Sequence, residues 1–378
     1  MPTPQERLAQ LRGNEDAPAS VASKYNKRFR VGVIGSGNWG TAVAKIVAEN
    51  CLEKPYLFHR DVKMWVREEE VSDMKLTDII NSYHENVKYL PEVTLPFNLF
   101  AEPDIRKVAD GADLLVINLP HQFLGSVCDQ MKGIDFSKSS AISCLKGINV
   151  SADGVELLHD VVEKKLGLHC GVLSGANIAS EVARERWSET TIAFPLPSWY
   201  QQGDADDNLI KELFYRPYFH VQVSDDVCGA SISGALKNVV ALGAGLVEGA
   251  GWGDNAKAAV MRRGLLEVIM FGNVFFPGKC RPETFTTESA GVADLITSCA
   301  GGRNVKVGRA FARTGKPLEV IEKELLNGQS AQGIITGREV MELLTATKKE
   351  DEFPLLGAIY DIVHNKLHIS NLPERIAD

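Results

Sequence analysis

Short apolar runs alternate with segments of helical spacing over the first half of the chain. The apolar runs have the length and content of buried β-strands and lie at 30–35, 62–66, 113–120, 141–147 and 170–175. Segments with helical spacing lie at 41–49, 74–82, 122–131, 151–165 and 176–185. This alternation is typical of a parallel, doubly wound sheet with helices on both faces.

The pattern changes near residue 224, where strand-like runs give way to helical spacing. Two further apolar runs, 190–195 and 219–225, are predicted to be the last strands. Helical segments follow at 226–248, 254–274, 287–299, 304–313, 317–326, 333–346 and 354–364. The sequence therefore predicts an α/β domain over 28–223 and an all-α domain over 224–378. Residues 1–27 are rich in Pro, Ala, Ser and charge, and we expect a flexible tail there.

A glycine-rich loop, "GSGNWG", lies between the first predicted strand and the first predicted helix. In this context the spacing G-x-G-x-x-G indicates a Rossmann-type dinucleotide site. Gly35 permits a tight turn, Gly37 lets the backbone approach a pyrophosphate, and Gly40 lets helix and strand pack closely. We expect the whole loop to contact the cofactor: Gly35, Ser36, Gly37, Asn38, Trp39 and Gly40. The alternative is a glycine-rich turn in another kind of α/β protein.

The charge, the cysteines and the apolar segments of the chain argue against several classes of protein. The 378 residues carry a formal net charge of −8, which does not favour binding to nucleic acids or to a membrane surface. The seven cysteines include no C-x-x-C pair, so we expect reduced thiols in a cytoplasmic protein and no metal site. The first 20 residues lack the apolar segment of a secretory signal. Residues 227–247 are apolar, but their lysine, asparagine and four glycines favour a buried core helix over a membrane span.

Lys237 is the only charged residue between Asp226 and Glu248. No carboxylate lies three or four residues away on the predicted helix, so an ion pair within the helix is excluded. Burial would make the Lys237 proton easy to release, as a group that protonates a carbonyl oxygen during hydride transfer requires. A lysine that reaches the surface along its apolar stem is the alternative.

Four other polar residues extend this hypothesis. Lys146 ends the predicted strand 141–147, and ligands of open α/β sheets bind beyond the carboxyl ends of strands. Asp294 lies in an uncharged run and could hold a lysine cation. Arg303 and Asn304 follow Gly301-Gly302 at the start of a predicted helix, where a phosphate would bind. The alternatives are a strand-end lysine facing solvent and a simple turn between two helices.

The motifs together resemble those of a known family. They occur in this order along the chain: "GSGNWG", "PHQF", "CLKG", "SGANIASEVA", "GALKNVVALGAG", "GVADLIT", "GGRN" and "KELLNGQSAQG". Over about residues 30–370 the chain resembles the cytosolic NAD-dependent glycerol-3-phosphate dehydrogenases of eukaryotes, and its N-terminal extension is most similar to the fungal branch. "SGANIASEVA" and "GALKNVVALGAG" are much more specific than the glycine loop.

The resemblance implies a reversible reaction in which dihydroxyacetone phosphate and NADH give sn-glycerol 3-phosphate and NAD, without a metal, in a homodimer whose helical half carries the dimer contact. It implies that Lys237 is the general acid/base, with Lys146 and Asp294 completing the catalytic group. The implied substrate contacts are Lys146, Asn177, Asn238, Ser298, Arg303 and Asn304. The implied cofactor contacts beyond the glycine loop are Arg67, Phe123, Lys146, Ala179, Arg303 and Gln332.

The chain departs from the family pattern at two positions. Ser298 in "LITSC" replaces a threonine, and because the hydroxyl is retained we expect little effect. Arg67 in "MWVREE" replaces an aromatic residue on the adenine side of the cofactor. An arginine near this strand end can favour NADP, whereas the acidic residues 68–70 oppose a 2′-phosphate. We expect NAD, with Arg67 stacked on adenine, and keep tolerance of NADP as a hypothesis.

Two alternative functions stay open at this point. One is another hydroxyacid or sugar-phosphate dehydrogenase with the same two-domain plan, which would not need Arg303 for an unphosphorylated substrate. The other is a dinucleotide-sensing regulatory protein without turnover, which would need the glycine loop but not the lysines at 146 and 237 together with Asp294.

Overall fold

A computed structural model describes residues 24–151, 154–326 and 330–377, which form a large sheet followed by a group of packed helices. The strands are β1 (Val31–Ile34), β2 (Val62–Trp65), β3 (Glu70–Val71), β4 (Met74–Lys75), β5 (Leu99–Glu102), β6 (Leu114–Ile117), β7 (Ser140–Ser143), β8 (Ile148–Ser151), β9 (Gly154–Leu157), β10 (His169–Ser174), β11 (Ser188–Ala193) and β12 (Phe219–Ser224).

The helices of the first half cover the sheet, and those of the second half pack on one another. They are α1 (Asn38–Glu53), α2 (Leu76–Tyr83), α3 (Ile105–Ala109), α4 (Leu124–Gln130), α5 (Leu158–Leu166), α6 (Ala179–Ala183), α7 (Asp207–Phe214), α8 (Val227–Gly249), α9 (Gly253–Phe275), α10 (Pro282–Thr286), α11 (Asp294–Gly301), α12 (Arg303–Thr314), α13 (Leu318–Leu326), α14 (Gln332–Thr347), α15 (Pro354–Val363) and α16 (Leu372–Arg375). Short 3₁₀ and π turns connect some of them, at His121–Phe123, Ser289–Ala293, Glu350–Glu352 and Ile369–Asn371.

The main sheet has eight strands in the order β5-β2-β1-β6-β7-β10-β11-β12. The first six are mutually parallel, and their order reverses between β1 and β6, which is the doubly wound arrangement. The fold class predicted from the sequence is therefore confirmed. β12 ends at Ser224 and α8 begins at Val227, so the predicted boundary between residues 223 and 224 lies at the last residue of β12.

The structure of the first half differs from the sequence prediction in several details. β11 pairs with β10 in the antiparallel sense, so the sheet is not wholly parallel. β5, α3 and α7 were not predicted. The predicted helix over 151–165 is shorter, because the β8–β9 hairpin occupies its beginning and α5 starts only at Leu158. Ile148 and Leu157 of this hairpin are buried in the helical core, so tertiary packing overrides the local helical spacing.

The described residues before β1 are attached to the first half of the protein through Tyr25. The Tyr25 side chain is buried, and its hydroxyl donates to Asp206 Oδ1 at 2.6 Å. Asp206 is also the N-cap of α7 and accepts from the Leu209 N–H. Residues 1–23, the larger part of the predicted tail, lie outside the described residues.

Helix α8 forms the centre of the second half. It packs against α9, α11, α12 and α14. It has the length and apolar content of a membrane span, yet its most apolar stretch is wholly buried inside the protein. Its contact with α12 depends on glycines that let the two backbones approach closely. A β-carbon added to Gly245 would lie 2.3 Å from the Val305 carbonyl oxygen, and one added to Gly308 would lie 2.3 Å from that of Leu242. The apolar composition of α8 is thus explained by burial among helices.

We predict that Gly245→Ala destabilises the protein, because the added methyl group forces α8 and α12 apart; overpacking of this kind costs about 1–3 kcal/mol. Gly337→Ala is the matched control, since it adds the same group to a buried helical glycine whose nearest neighbour would lie at 3.8 Å. Urea unfolding of both variants measures the difference in the free energy of unfolding. Equal stability of the two variants would contradict close backbone packing at Gly245.

Candidate active site between the sheet and the helical half

The glycine loop lies at the point where the strand order reverses. Gly35 has φ +112°, and a β-carbon there would lie 1.9 Å from the carbonyl oxygen of Asn118, which follows β6. A β-carbon on Gly40 would lie 2.4 Å from the Gly35 oxygen. Gly35 is therefore required for its backbone conformation, and Gly40 is required because α1 approaches the loop closely.

The open side of this loop fits a dinucleotide phosphate. Gly37 is the N-cap of α1, no side chain caps the helix there, and a β-carbon on Gly37 would meet nothing within 4 Å. The first N–H groups of a helix lack partners within the helix and attract anions. The geometry thus provides a positively polarised, uncovered backbone at the place where a pyrophosphate would lie.

The other residues of the loop hold its shape. The Ser36 carbonyl accepts from Thr41 Oγ1 at 2.9 Å and from Asn86 Nδ2 at 3.0 Å. Asn38 Nδ2 donates to the Tyr89 carbonyl at 2.9 Å. The half-buried Trp39 ring packs near the ring of Phe219, with centroids 6.2 Å apart. These contacts stabilise the loop on the side away from Gly37 and leave Gly37 uncovered.

Two lysines share one buried carboxylate at the junction of the two halves. Lys237 in the middle of α8 pairs with Asp294 Oδ1, and Lys146 Nζ donates to Asp294 Oδ2 at 2.9 Å. Lys237 is 7% exposed and Asp294 is 2% exposed. Lys146 follows β7, and Asp294 is the first residue of α11. The structure therefore brings together the three residues that the sequence analysis assigned to catalysis.

The surroundings of Lys237 favour loss of its proton. Burial, together with repulsion from Lys146, lowers the pKa of Lys237 to about 7, while the negative charge of Asp294 acts in the opposite direction. An ordinary lysine has a pKa of about 10.4 and would stay protonated at neutral pH. Lys237 can therefore both donate and accept a proton near pH 7, as a general acid/base must.

A chain of amide hydrogen bonds connects α8, α12 and α14 beside this cluster. Asn304 Nδ2 donates to Asn238 Oδ1 at 2.9 Å, and the Gly333 N–H donates to Asn304 Oδ1 at 2.8 Å. Arg303 precedes Asn304 as the first residue of α12. Gln332 precedes Gly333 as the first residue of α14, and its buried Oε1 has no hydrogen-bond partner among the described residues. Two helix N-termini therefore meet next to Asn238.

Asn177 and Ala179 lie in the segment that follows β10. Asn177 Nδ2 donates to Ser188 Oγ at 2.9 Å and to the Glu189 carbonyl at 2.8 Å, while its buried Oδ1 has no partner in the described part of the chain. Ala179 is the first residue of α6 and packs in a small cluster with Ala42 of α1. The segment thus borders the helix that begins at the glycine loop.

Ser174 and Ser233 were not predicted as site residues. Their hydroxyl oxygens are buried and, within the described ranges, have no hydrogen-bond partner. A β-carbon added to Gly234 would lie 3.0 Å from Ser174 Oγ and 3.5 Å from Lys146 Cγ, so these groups border the lysine site. Ser233 lies one helical turn before Lys237, which is the only sequence signal that could have indicated it.

A second ion pair, also not predicted, joins the two halves. His121 Nε2 lies 3.3 Å from Glu339 Oε1 of α14, and this carboxylate raises the pKa of His121. Phe123 ends the same 3₁₀ turn and is 47% exposed. His121 and Glu339 lie far apart in the sequence, so no local pattern connects them.

The remaining predicted positions lie at the edges of this region. Ser298 is half-buried on α11, one turn after Asp294, and therefore projects from a similar face of the helix. Arg67 is exposed just beyond β2. Glu68 accepts from Thr77 Oγ1 at 2.8 Å, and Glu69 accepts from the Tyr89 hydroxyl at 2.6 Å. These two acidic side chains are thus engaged within the protein, whereas Arg67 stands at the surface.

A doubly wound dinucleotide domain beside a buried lysine of low pKa defines a two-domain dehydrogenase of the pyridine-nucleotide class. Comparison with known proteins specifies the family. A model described as the N-terminus of NAD-dependent glycerol-3-phosphate dehydrogenase matches residues 30–199, and the model of its C-terminus matches residues 226–374. The chain belongs to the NAD-dependent glycerol-3-phosphate dehydrogenases.

Individual relatives agree with this assignment. A glycerol-3-phosphate dehydrogenase [NAD(+)] of Yarrowia lipolytica is 58% identical over 363 residues, covering 95% of this chain and 91% of that protein. A Saccharomyces cerevisiae relative named as mitochondrial is 54% identical over 365 residues, covering 96% and 83%. The solved structure of a Saccharomyces cerevisiae glycerol-3-phosphate dehydrogenase has a TM-score of 0.88 and 57% identity, covering 93% of this chain and all of that one.

The resemblance predicted from the motifs is therefore confirmed, as are the enzyme class and NAD as the cofactor. Family membership makes the chain an oxidoreductase and excludes the alternative of a sensor without turnover. It also decides against another hydroxyacid or sugar-phosphate dehydrogenase with the same two-domain plan. Family membership does not assign a role to any individual side chain.

We predict that Arg67 sets the residual use of NADPH. Replacing its exposed guanidinium in Arg67→Phe should lower the ratio of kcat/KM for NADPH to that for NADH about tenfold, because one charge-assisted hydrogen bond contributes about 1.5 kcal/mol. The measurement is initial-rate kinetics with both cofactors. Lys63→Ala, which removes another exposed cation from β2, is the control and should leave the ratio unchanged. An identical ratio in wild type and Arg67→Phe would remove the hypothesis.

Proposed function

We propose that this enzyme reduces dihydroxyacetone phosphate at C2, and oxidises sn-glycerol 3-phosphate in the reverse direction, with Lys237 as the general acid/base. The observation that carries the proposal is the buried Lys237, which shares Asp294 with Lys146 at the junction of the sheet and the helical half. NAD, when bound, supplies the hydride chemistry. Every other requirement of the reaction is met by side chains of this chain.

Negative charge develops on the ketone oxygen as hydride arrives at C2, and a proton must reach that oxygen. Lys237 donates this proton from Nζ, and the low pKa caused by burial brings the proton within reach at neutral pH. Asp294 holds the ammonium in place, and the positive charge of Lys146 stabilises the developing alkoxide. In the reverse direction neutral Lys237 accepts the proton from the alcohol.

The start of α12 is proposed to bind the phosphate group of the substrate. Arg303 and Asn304 stand there, and a helix N-terminus with an adjacent guanidinium favours a phosphate. We propose that Asn177, Asn238 and Ser298 contact the rest of the substrate, which would anchor the molecule at one end while its ketone meets Lys237. Asn177 Oδ1 supports this assignment, because it is buried without a partner in the described residues.

The cofactor is proposed to lie along the glycine loop, with its phosphates at the N-terminus of α1. The open face of Gly37 supports this placement. Gln332, whose side chain faces His121, is proposed to contact the cofactor as well. Phe123, Ala179, Lys146 and Arg303 are proposed to complete the cofactor contacts. The described residues include no group of three or more His, Cys, Asp or Glu that could hold a metal ion, and the proposed chemistry needs none.

We also propose that the enzyme is a homodimer whose contact lies in the helical half. Large apolar side chains are exposed there on α9 and α11, which pack against each other: Leu266 at 50%, Met270 at 40% and Ile296 at 52%. Exposed apolar groups of this kind are typical of subunit interfaces. Light scattering should give twice the chain mass of 41.3 kDa, and a monomeric mass would refute the proposal.

A cytoplasmic location and a lack of nucleic-acid or membrane partners are part of the same proposal. Seven free cysteines and the net charge of −8 support it. A relative of similar identity is named as mitochondrial, so the compartment needs its own measurement. Fractionation of cells that express the full chain would decide, and enrichment in mitochondria would contradict a cytoplasmic location.

We predict that Lys237→Ala lowers kcat about 10²–10⁴-fold, because a general acid/base contributes an effect of this size. The pH profile tests the same role. Burial lowers the pKa of Lys237 to about 7, so kcat/KM for ketone reduction should fall as pH rises through 7, and that for alcohol oxidation should rise. Both inflections should vanish in Lys237→Ala. Initial rates at the nicotinamide absorbance band measure both effects.

The matched control for this prediction is Lys211→Ala, which removes an exposed lysine from α7. Its turnover and pH profile should equal those of the wild type. Circular dichroism and the Tm of both variants show that the fold is intact. Unchanged turnover in folded Lys237→Ala protein would assign Lys237 a purely structural role.

We predict that Arg303→Ala lowers kcat/KM for dihydroxyacetone phosphate by about 10–100-fold, because hydrogen bonds to a charged group contribute about 1.5–3 kcal/mol. Unphosphorylated dihydroxyacetone serves as the control substrate. At saturating NADH, where a weaker cofactor contact does not limit the rate, its kcat/KM should change less than about threefold. Steady-state kinetics with both substrates gives the comparison. An equal loss with both substrates would place Arg303 outside the phosphate site.

A further inference from the structure

Two cysteines face each other away from the catalytic lysines. Cys228 lies in the first turn of α8, Cys280 lies in the connection between α9 and α10, and their sulfur atoms are 2.9 Å apart. A disulfide bond has a sulfur–sulfur length of about 2.05 Å, so closure requires a movement of about 0.9 Å. Both thiols are free in this structure. The pair is therefore close to the geometry of a cross-link without forming one.

A buried carboxylate holds the two cysteines in this arrangement. Asp226, the N-cap of α8, accepts from the Gly229 N–H at 2.7 Å and from the Arg281 N–H at 2.8 Å. Each of these N–H groups belongs to the residue that directly follows one of the cysteines. Because one side chain ties both backbone segments together, the sulfurs stay close without any bond between them.

The two thiols are accessible in different ways: Cys228 lines a cavity, and Cys280 is only half-buried. A cavity of about 360 Å³ is lined by Cys228 and by polar side chains that include His159, His169 and Lys279. Cys280 is half-buried, whereas Cys228 is 8% exposed. Its hydrogen bond with Cys280 and its burial raise the pKa of Cys228 well above the ordinary value, so this thiol keeps its proton. Cys280 is thus the thiol that an oxidant meets first.

We propose that Cys228 and Cys280 are a redox modification site that forms a reversible intramolecular disulfide bond, with a peroxide as the oxidant. The Cys280 sulfur attacks a peroxide oxygen, the O–O bond breaks, and a sulfenic acid and one water result. The Cys228 sulfur then attacks the Cys280 sulfur, the S–O bond breaks, and the hydroxide leaves as water with the Cys228 proton. The two thiols supply the two electrons, and a thiol reductant restores them.

The test is thiol counting on the full reduced chain after treatment with hydrogen peroxide. The count should fall from seven to five free thiols and return to seven with dithiothreitol. Trypsin should then release a cross-linked pair made of residues 212–237, which contain Cys228, and residues 280–303. An unchanged count, or a loss of thiols without this cross-linked pair, would overturn the proposal. None of these readouts depends on catalytic activity or on the proposed roles of the lysines.

The peptide 280–303 contains both Cys280 and Cys299, so its mass alone does not show which of them is cross-linked. Cysteine variants make this distinction. Cys280→Ser should keep its six thiols and yield no cross-link. Cys51→Ala is the matched control, since it removes a fully buried thiol of α1; its count should fall from six to four, with the cross-link intact. A cross-link that persists in Cys280→Ser would show that Cys299 is the partner and would refute the proposed pair.

Discussion

The carboxylate of Asp294, shared between Lys237 and Lys146, determines the chemistry of the site. Burying a lone ammonium or carboxylate costs several kcal/mol, and a well-placed partner offsets that cost. Here two cations share one anion, so the cluster has an excess positive charge. That excess and the burial of Lys237 lower its pKa, and the same charge suits a phosphorylated ketone that becomes an alkoxide. One arrangement of three side chains thus supports both parts of the proposal, the proton transfer by Lys237 and the phosphorylated substrate.

The arrangement exists because three distant elements converge. Lys146 comes from the carboxyl edge of the sheet, Lys237 from the middle of α8, and Asp294 from the start of α11. Burial of Lys237 requires that α8 be enclosed, and glycines on α8 and α12 make this possible by letting backbones approach. The small residues around Lys237 are therefore needed for its burial, since bulkier ones would separate the helices and admit water.

The sequence predicts much of this structure where the signal is local. The glycine loop, the strand–helix alternation and the isolated charge of Lys237 each follow from short patterns, and the structure contains the corresponding elements. The β8–β9 hairpin could not be predicted from a short pattern, because its strands are fixed by burial of Ile148 and Leu157 in the helical core. The ion pair of His121 with Glu339 was missed for the same reason, since its partners meet only after the two halves pack.

The orphaned hydroxyls of Ser174 and Ser233 show another limit. A serine in a sequence has no feature that distinguishes a satisfied hydroxyl from an unsatisfied one, and only the packed structure shows that these two lack partners in the described residues. Buried polar groups are normally paired, and the Ser174 hydroxyl, near Lys146, is thus consistent with the substrate site proposed there.

Helix α8 connects these observations along one axis. Its N-terminus is capped by Asp226, which also fixes Cys228 and Cys280, and its middle carries Lys237. Cys228 precedes Lys237 by nine residues, about 13 Å along the helix axis, so the thiol pair lies apart from the reacting atoms. A packed helix can therefore carry the proposed acid/base lysine at its centre and the proposed thiol site at its start, because the cap residue Asp226 holds the thiols about two and a half turns away from Lys237.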